Sequence, residues 1–292
     1  MVSTQIIDDL EREMCAHILE NLPADSTGNL AAQPLPGLLI EYGNWKARLI
    51  PARPRQVHVS NEMAGSAKLV EHKANVDSVI AKIELGDDLT AHLSKGIEKI
   101  GRDRMLANLG IHHLHLSATL EPGSSFVERD EDLLFAAFTS DDAYLIGIYV
   151  HITDWARRSI LETIARNWPD VGVLHRLRYA VGVENDLDDE ARLALQNASI
   201  SANMIEVDGS VFMTMGQTLD GTPLEVSRHR MAVMHTLNEW RANLDERLAG
   251  AARAIDETAG HPVNGAWQAT VHDEQAGLVR GGVFYSVAAM TC

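Results

Sequence analysis

Apolar positions along residues 3–21 (Ile6, Ile7, Leu10, Met14, Ile18 and Leu19) recur at a helical period, so the chain opens on an amphipathic helix that Asn21-Leu-Pro23 stops. Pro23–Gly37, rich in Gly, Pro, Ala and Ser, reads as a connection. Tyr42–Ile50 fits helix or strand, and Pro51-Ala-Arg-Pro54 separates it from a short strand, Gln56–Ser60. A helical period returns over residues 66–85 through Leu69, Val76, Val79, Ile80 and Ile83, with Gly86 as the cap beyond its end. A second helical stretch follows Asp87-Asp88, and a third spans Asp103–Leu109 before Gly110.

The centre changes to strand-like runs, Ile111–Ser117, Asp132–Thr139 and Ala143–His151, the last two joined by a Ser140-Asp141-Asp142 turn. Both of those are apolar on both faces, which predicts a small sheet covered on two sides. Thr153–Asn167 reads as a helix with Trp155, Ile160, Leu161 and Ile164 on its stripe, ended by Pro169. Val171–Ala180 reads as a strand and Asp188–Asn197 as a short helix whose acidic first turn suits the helix dipole. Asp208-Gly209 predicts a hairpin between Ile205–Val207 and Val211–Met215. Pro223 opens one long helix through Val226, Met231, Met234, Leu237, Leu244, Leu248 and Ile255 to Gly260, and Ala266–Ala289 alternates as two final strands. The expected fold is α+β: a small antiparallel central sheet covered by helices, with a C-terminal α/β extension. The expected segments are 1–55 (N-terminal helix and linker), 56–182 (central domain) and 183–292 (hairpin, long helix and final strands).

The 292 residues carry a formal charge of −16, which favours solubility and disfavours broad attraction to nucleic acid or anionic membranes. Cations nevertheless cluster locally, at Lys46/Arg48/Arg53/Arg55, at Lys95/Lys99/Arg102/Arg104, and at Arg157/Arg158/Arg166/Arg176/Arg178; solvated faces are the plain reading of such groups. The two cysteines, Cys15 and Cys292, form no C-x-x-C pair, the N-terminus has no secretory pattern, and the longest apolar stretch, around Tyr144–Val150, is too short to span a bilayer. These point to a cytoplasmic protein with no membrane role. Phosphate loop, G-x-G-x-x-G, H-E-x-x-H, G-x-S-x-G and EF-hand patterns are all missing, so kinase, Rossmann dehydrogenase, zincin, serine hydrolase and calcium-sensor readings have no motif behind them.

The densest polar anomaly is Ile111-His-His-Leu-His-Leu116. On a strand, His113 and His115 share one face and His112 lies on the other. Imidazoles titrate near neutrality, so a same-face pair can serve as base and acid. Arg129, just before the next strand, and His151, at the end of the one after, would converge on them in a three-strand meander. Phosphodiester cleavage through a neighbouring 2′-hydroxyl needs that set: a base, an acid and a cation for the phosphate, with no metal. Two other readings stand beside it. His113 and His115 with His151, His175 or a carboxylate can hold zinc or manganese for a metal-dependent hydrolase. Alternatively the histidines are structural, and the protein is an interaction or regulatory protein whose Met-rich C-terminal helix pairs with itself or a partner. His58 reads as an ordinary strand residue, Asp87-Asp88 as a helix cap, and Trp45, Trp155 and Trp168 as packing residues.

The run from Gly86-Asp-Asp-Leu through Gly110-Ile-His-His-Leu-His-Leu-Ser117, Leu133-Leu-Phe and Tyr144-Leu-Ile-Gly-Ile to His151 and Asn167-Trp-Pro169 resembles a bacterial family of uncharacterised proteins, over less than a third of the chain. More loosely, a strand bearing histidine, then an arginine, two apolar strands and a terminal histidine resembles the sheet of RelE-type toxins and barnase-like and colicin-type ribonucleases. That resemblance implies a metal-independent endoribonuclease of toxin-like or phage-defence type, with RNA as substrate and an antitoxin as partner. It implies His113 or His115 as base or acid, Arg129 on the phosphate and His151 as a second proton donor. The chain departs from RelE-type toxins in its length, its acidity and the absence of a lysine run on the sheet.

Overall fold

The structure, a computed structural model, describes residues 5–24, 28–150, 156–184, 187–198, 200, 204–214, 216–218 and 220–291. The fold is α+β, and the chain divides into two compact units, residues 47–224 and residues 1–46 with 225–292. This division differs from breaks at 55/56 and 182/183. The N-terminal helix Gln5–Asn21 packs on the C-terminal strands, and helix Arg158–Asn167 packs on strands beyond residue 183.

In residues 47–224 the central sheet comprises β1 (Gln56–Val59), β2 (His112–His115), β3 (Asp132–Phe138) and β4 (Asp142–Val150), in the order β1-β4-β3-β2. β2, β3 and β4 are antiparallel, as expected. β1 instead joins β4 in parallel, which its long helical connection to the other strands permits and a hairpin would not. One face (Leu114, Leu134, Ala136, Leu145) packs on Met63, Val76, Val79 and Ile83. The opposite face (Leu133, Phe135, Ala137, Ile146) packs on Ile160, Leu161 and Ile164 and on Ile205 and Phe212. Both faces are therefore covered, and each fully buried Leu or Phe contributes about 1.5–3 kcal/mol. The register shifts between Phe135 and Ala136, leaving Ile146 as the extra residue of a β-bulge.

A second sheet, β5 (Leu174–Arg176), β6 (Met204–Val207) and β7 (Ser210–Thr214), has the order β5-β7-β6. Its hairpin turns through Asp208 (φ 49°) and Gly209 (φ 72°), as the Asp-Gly pair predicts. The other unit contains helices Gln5–Asn21, Leu35–Ala47, Leu224–Ala242 and Leu244–Ala259 with an antiparallel meander, β8 (Trp267–His272), β9 (Gln275–Arg280) and β10 (Val283–Ala289).

Several elements differ from the sequence reading. Leu35–Ala47 is a helix, with Pro36 in its first turn and Leu38, Leu39 and Tyr42 buried. The stretch after Asp87-Asp88 is two 3-10 turns, Thr90–His92 and Lys95–Glu98, because Asp88 and Ser94 accept from Thr90 and Gly96 N–H and close tight local turns. The helix of residues 66–85 is broken at His72 into Ala67–Glu71 and Lys73–Leu85. The single long C-terminal helix is two, interrupted at Asn243, and the final two strands are three.

Candidate active site

Among the described residues β2 is an edge strand, so one side of its histidine run meets no neighbouring described strand. Register with β3 pairs His112 with Ala136, His113 with Phe135, Leu114 with Leu134 and His115 with Leu133. Strand alternation then puts His113 and His115 on the Leu133/Phe135 face and His112 on the other.

His113 Nδ1 lies 3.5 Å from Asp103 Oδ2. The other oxygen of that carboxylate, Oδ1, caps helix Arg104–Leu109 by accepting from Leu106 N–H at 3.0 Å. The cap fixes the carboxylate, and the carboxylate in turn faces the imidazole.

His115 is buried, and its carbonyl accepts the Nδ1–H of His92 at 2.7 Å. Nε2 of His92 accepts from Lys82 Nζ at 2.9 Å, so His92 is held neutral, its pKa lowered first by burial and further by the Lys82 charge. On its side-chain side, His115 contributes to the positive field at Glu121. That carboxylate is held below its ordinary pKa by a hydrogen bond from Lys95 and by the charges of Lys95, Arg129 and His115. Arg129 Nε sits 3.9 Å from Glu121 Oε1, with the Arg129 side chain 47% exposed. The loop carrying them is tied down by a Leu120–Val127 bridge and by Val127 N–H bonding to Ala91 O. Of the histidine pair, His113 thus has a carboxylate 3.5 Å away in Asp103, whereas His115 acts on Glu121 through its charge.

His112 plays a different part. Its Nε2–H donates to Ala47 O at 3.1 Å, its ring stands edge-on to Phe138, and its Nδ1 is enclosed with no hydrogen-bond partner among the described residues. Burial is the main cause that pushes its pKa down to about 4, so it is neutral at physiological pH.

A cavity of about 110 Å³ opens here, lined by Arg48, Ser94, Arg102, Asp103, His112 and His113 over an apolar floor that includes Leu93 and Ile97. Arg48 is buried and pins the loop above it by donating to Gly96 O (2.7 Å) and Lys99 O (2.6 Å). Arg102 donates to Asp220 O.

Of the four residues expected to converge, His113 and His115 share a face, and Arg129 reaches that neighbourhood through Glu121. His151 lies outside the described residues. Among the described residues no group of three or more His, Cys, Asp or Glu is placed to hold a metal ion, so His113 and His115 find no third described ligand for zinc or manganese. Asp103, Glu121, Lys95 and Arg48 were not singled out for this site by sequence. In the sequence Asp103 is only the start of a predicted helix and Lys95 and Arg48 only members of cation clusters, while Glu121, six positions past β2, has no periodicity linking it to the strand.

Elsewhere, Trp168 packs against Tyr144, and Trp45 against Tyr42. His58 bonds Asp142 (2.7 Å) and stacks on Tyr144. Among the described residues no helix is long and apolar enough to cross a membrane.

These features define a candidate imidazole–carboxylate site on the edge strand of an α+β sheet. Compared with known proteins, the chain matches no family model, no curated protein and no solved structure.

Proposed function

We propose that this protein cleaves RNA phosphodiester bonds without a metal ion, at the edge of β2. The observation that carries the reading is the pair of imidazoles on one face of an edge strand, His113 with the Asp103 carboxylate 3.5 Å away and His115 within the charge field of Glu121, next to a cavity that two guanidinium groups line. The cavity volume, about 110 Å³, is well under the roughly 300–1,000 Å³ of sites that enclose a whole drug-sized ligand. It suits a group the size of a phosphate, leaving the bases outside.

In this reading His113, aligned by Asp103, takes the proton of the 2′-hydroxyl. The 2′-oxygen attacks phosphorus, the bond to the 5′-oxygen breaks, and that oxygen takes a proton from His115. The products are a 2′,3′-cyclic phosphate and a free 5′-hydroxyl. Arg48 and Arg102 stabilise the charge that builds on the phosphate, and Arg129 and Lys95 keep Glu121 ionised. His112, neutral and bonded to a backbone carbonyl, serves as a wall. These cations give a −16 molecule the local positive field its substrate needs. The reading places the activity in the cytoplasm, in a toxin-like or phage-defence role that a partner protein of antitoxin type would restrain.

The test is incubation of 5′-labelled RNA with the wild-type protein and with His113→Gln and His115→Gln, each with and without EDTA. Cleavage that survives EDTA and falls about 10²–10⁴-fold in each variant is expected. Cleavage abolished by EDTA moves the chemistry to a metal-dependent hydrolase. No cleavage by folded wild-type protein leaves an interaction or regulatory role.

A further inference from the structure

We infer that the pocket beside β5 is a second subsite on the same substrate, binding a single-stranded RNA segment through its phosphates and one stacked base. The inference rests on the RNA reading above for the identity of the polymer, and on separate residues for the site.

The pocket measures about 560 Å³, within the range of sites that hold a nucleotide-sized ligand. Among the described residues, Arg176, Arg178 and His175 line it against a single carboxylate, Asp170. The local charge therefore has the opposite sign to the −16 of the whole chain. Arg176 Nη2 donates to Ser210 Oγ at 2.8 Å, so that guanidinium is already positioned. Beyond it the chain stays anchored: Leu177 N–H bonds Val211 O (2.8 Å), and Ala180 N–H bonds Leu177 O (3.2 Å) to close a turn. On that turn Tyr179 is 99% exposed, beside the exposed Arg178.

A tyrosine ring held entirely in water gains nothing from packing within its own chain. Next to two guanidinium groups it matches what single-stranded nucleic acid offers, a π-face for stacking and phosphates for the cations. Tyr and Arg also anchor protein interfaces. The excess of cations in one pocket favours a polyanion over a mixed protein surface.

The test is fluorescence anisotropy with a labelled oligouridylate of about ten nucleotides. His113→Gln protein serves as the background, so that cleavage does not obscure binding, and Arg178→Glu or Tyr179→Ala is added to it. Both substitutions are at exposed positions, and thermal melting checks that the fold is kept. Binding that weakens as salt rises, falls about tenfold or more with Arg178→Glu and at least about fivefold with Tyr179→Ala supports the subsite. Equal binding by all three proteins overturns it and puts RNA elsewhere. No binding at about 50 mM salt also overturns it and leaves a protein partner for Tyr179. Because the readout is binding, failure of cleavage by the wild type sinks the active-site reading alone, and unchanged binding in the variants sinks this one alone.

Discussion

At the scale of single residues, His112 and His113 are sequence neighbours with opposite surroundings. The strand pleat sends one to a backbone carbonyl and an aromatic edge, and the other to a carboxylate. The sequence made the alternation readable, because a period of two is set by backbone geometry alone. It left the carboxylates hidden, since a helix cap brings Asp103 to His113 and a bridged loop carries Glu121, and neither leaves a pattern linking it to β2. Substituting Asp103 by Asn should lower the cleavage rate with little change in KM, since its role is to align His113; a rise in KM alone would contradict that role. His112 and His92 both make stability fall as pH drops from neutrality. Both have folded pKa values below that of free histidine, so the unfolded chain binds protons first. Their contribution is complete above about pH 6.5 and is lost as pH falls towards about 4 for His112, by about 1.4 kcal/mol per pH unit while only the unfolded state is protonated. The urea midpoint should therefore drop between pH 7 and pH 5, and drop less in His112→Gln, which keeps a donor for Ala47 O. An equal drop in both proteins would show that His112 does not titrate this way.

At the scale of elements, strands and helices with a strong period or an Asp-Gly turn were legible. The 3-10 turns at Thr90–His92 and Lys95–Glu98 and the break at Asn243 were not, because side-chain hydrogen bonds and packing override a helical pattern there. The β8–β9 hairpin shows such an override. Its two turn residues, Asp273 and Glu274, are both left-handed (φ 46° and 60°), where Asn-Gly is the usual choice. Glu274 is held there by Tyr42 O–H (2.7 and 3.0 Å) and Lys46 (2.8 Å), with His17 at 3.7 Å. Asp273→Gly should raise stability by a few tenths to about 1 kcal/mol, since it relieves the backbone and breaks only an exposed contact with His272. Glu274→Gly should lower it by about 1–2 kcal/mol, because the buried Tyr42 loses its acceptor. Urea midpoints at constant m read both changes, and a stabilised Glu274→Gly would contradict the clamp.

At the scale of the whole molecule, the sequence divided the chain by order along it, whereas the compact units follow packing. Residues 1–46 and 225–292 form one unit because the first helix covers the last sheet, a pairing that no local signal announces. Residues 47–224 are continuous and carry both cores of the central sheet. A fragment of residues 47–224 should therefore fold cooperatively alone, which thermal unfolding with a single sharp transition would verify and a broad, featureless melt would refute. The candidate site lies wholly within it, so the fragment should also retain the cleavage activity proposed for the full chain. The most direct measurement is analysis of product ends after the 292-residue protein meets an RNA oligonucleotide in EDTA, beside a DNA strand of the same sequence and the His113→Gln protein. RNA fragments ending in 2′,3′-cyclic phosphate, with intact DNA and a strongly slowed variant, are the expected result. Cleavage of DNA, or an undiminished rate in His113→Gln, would contradict the account.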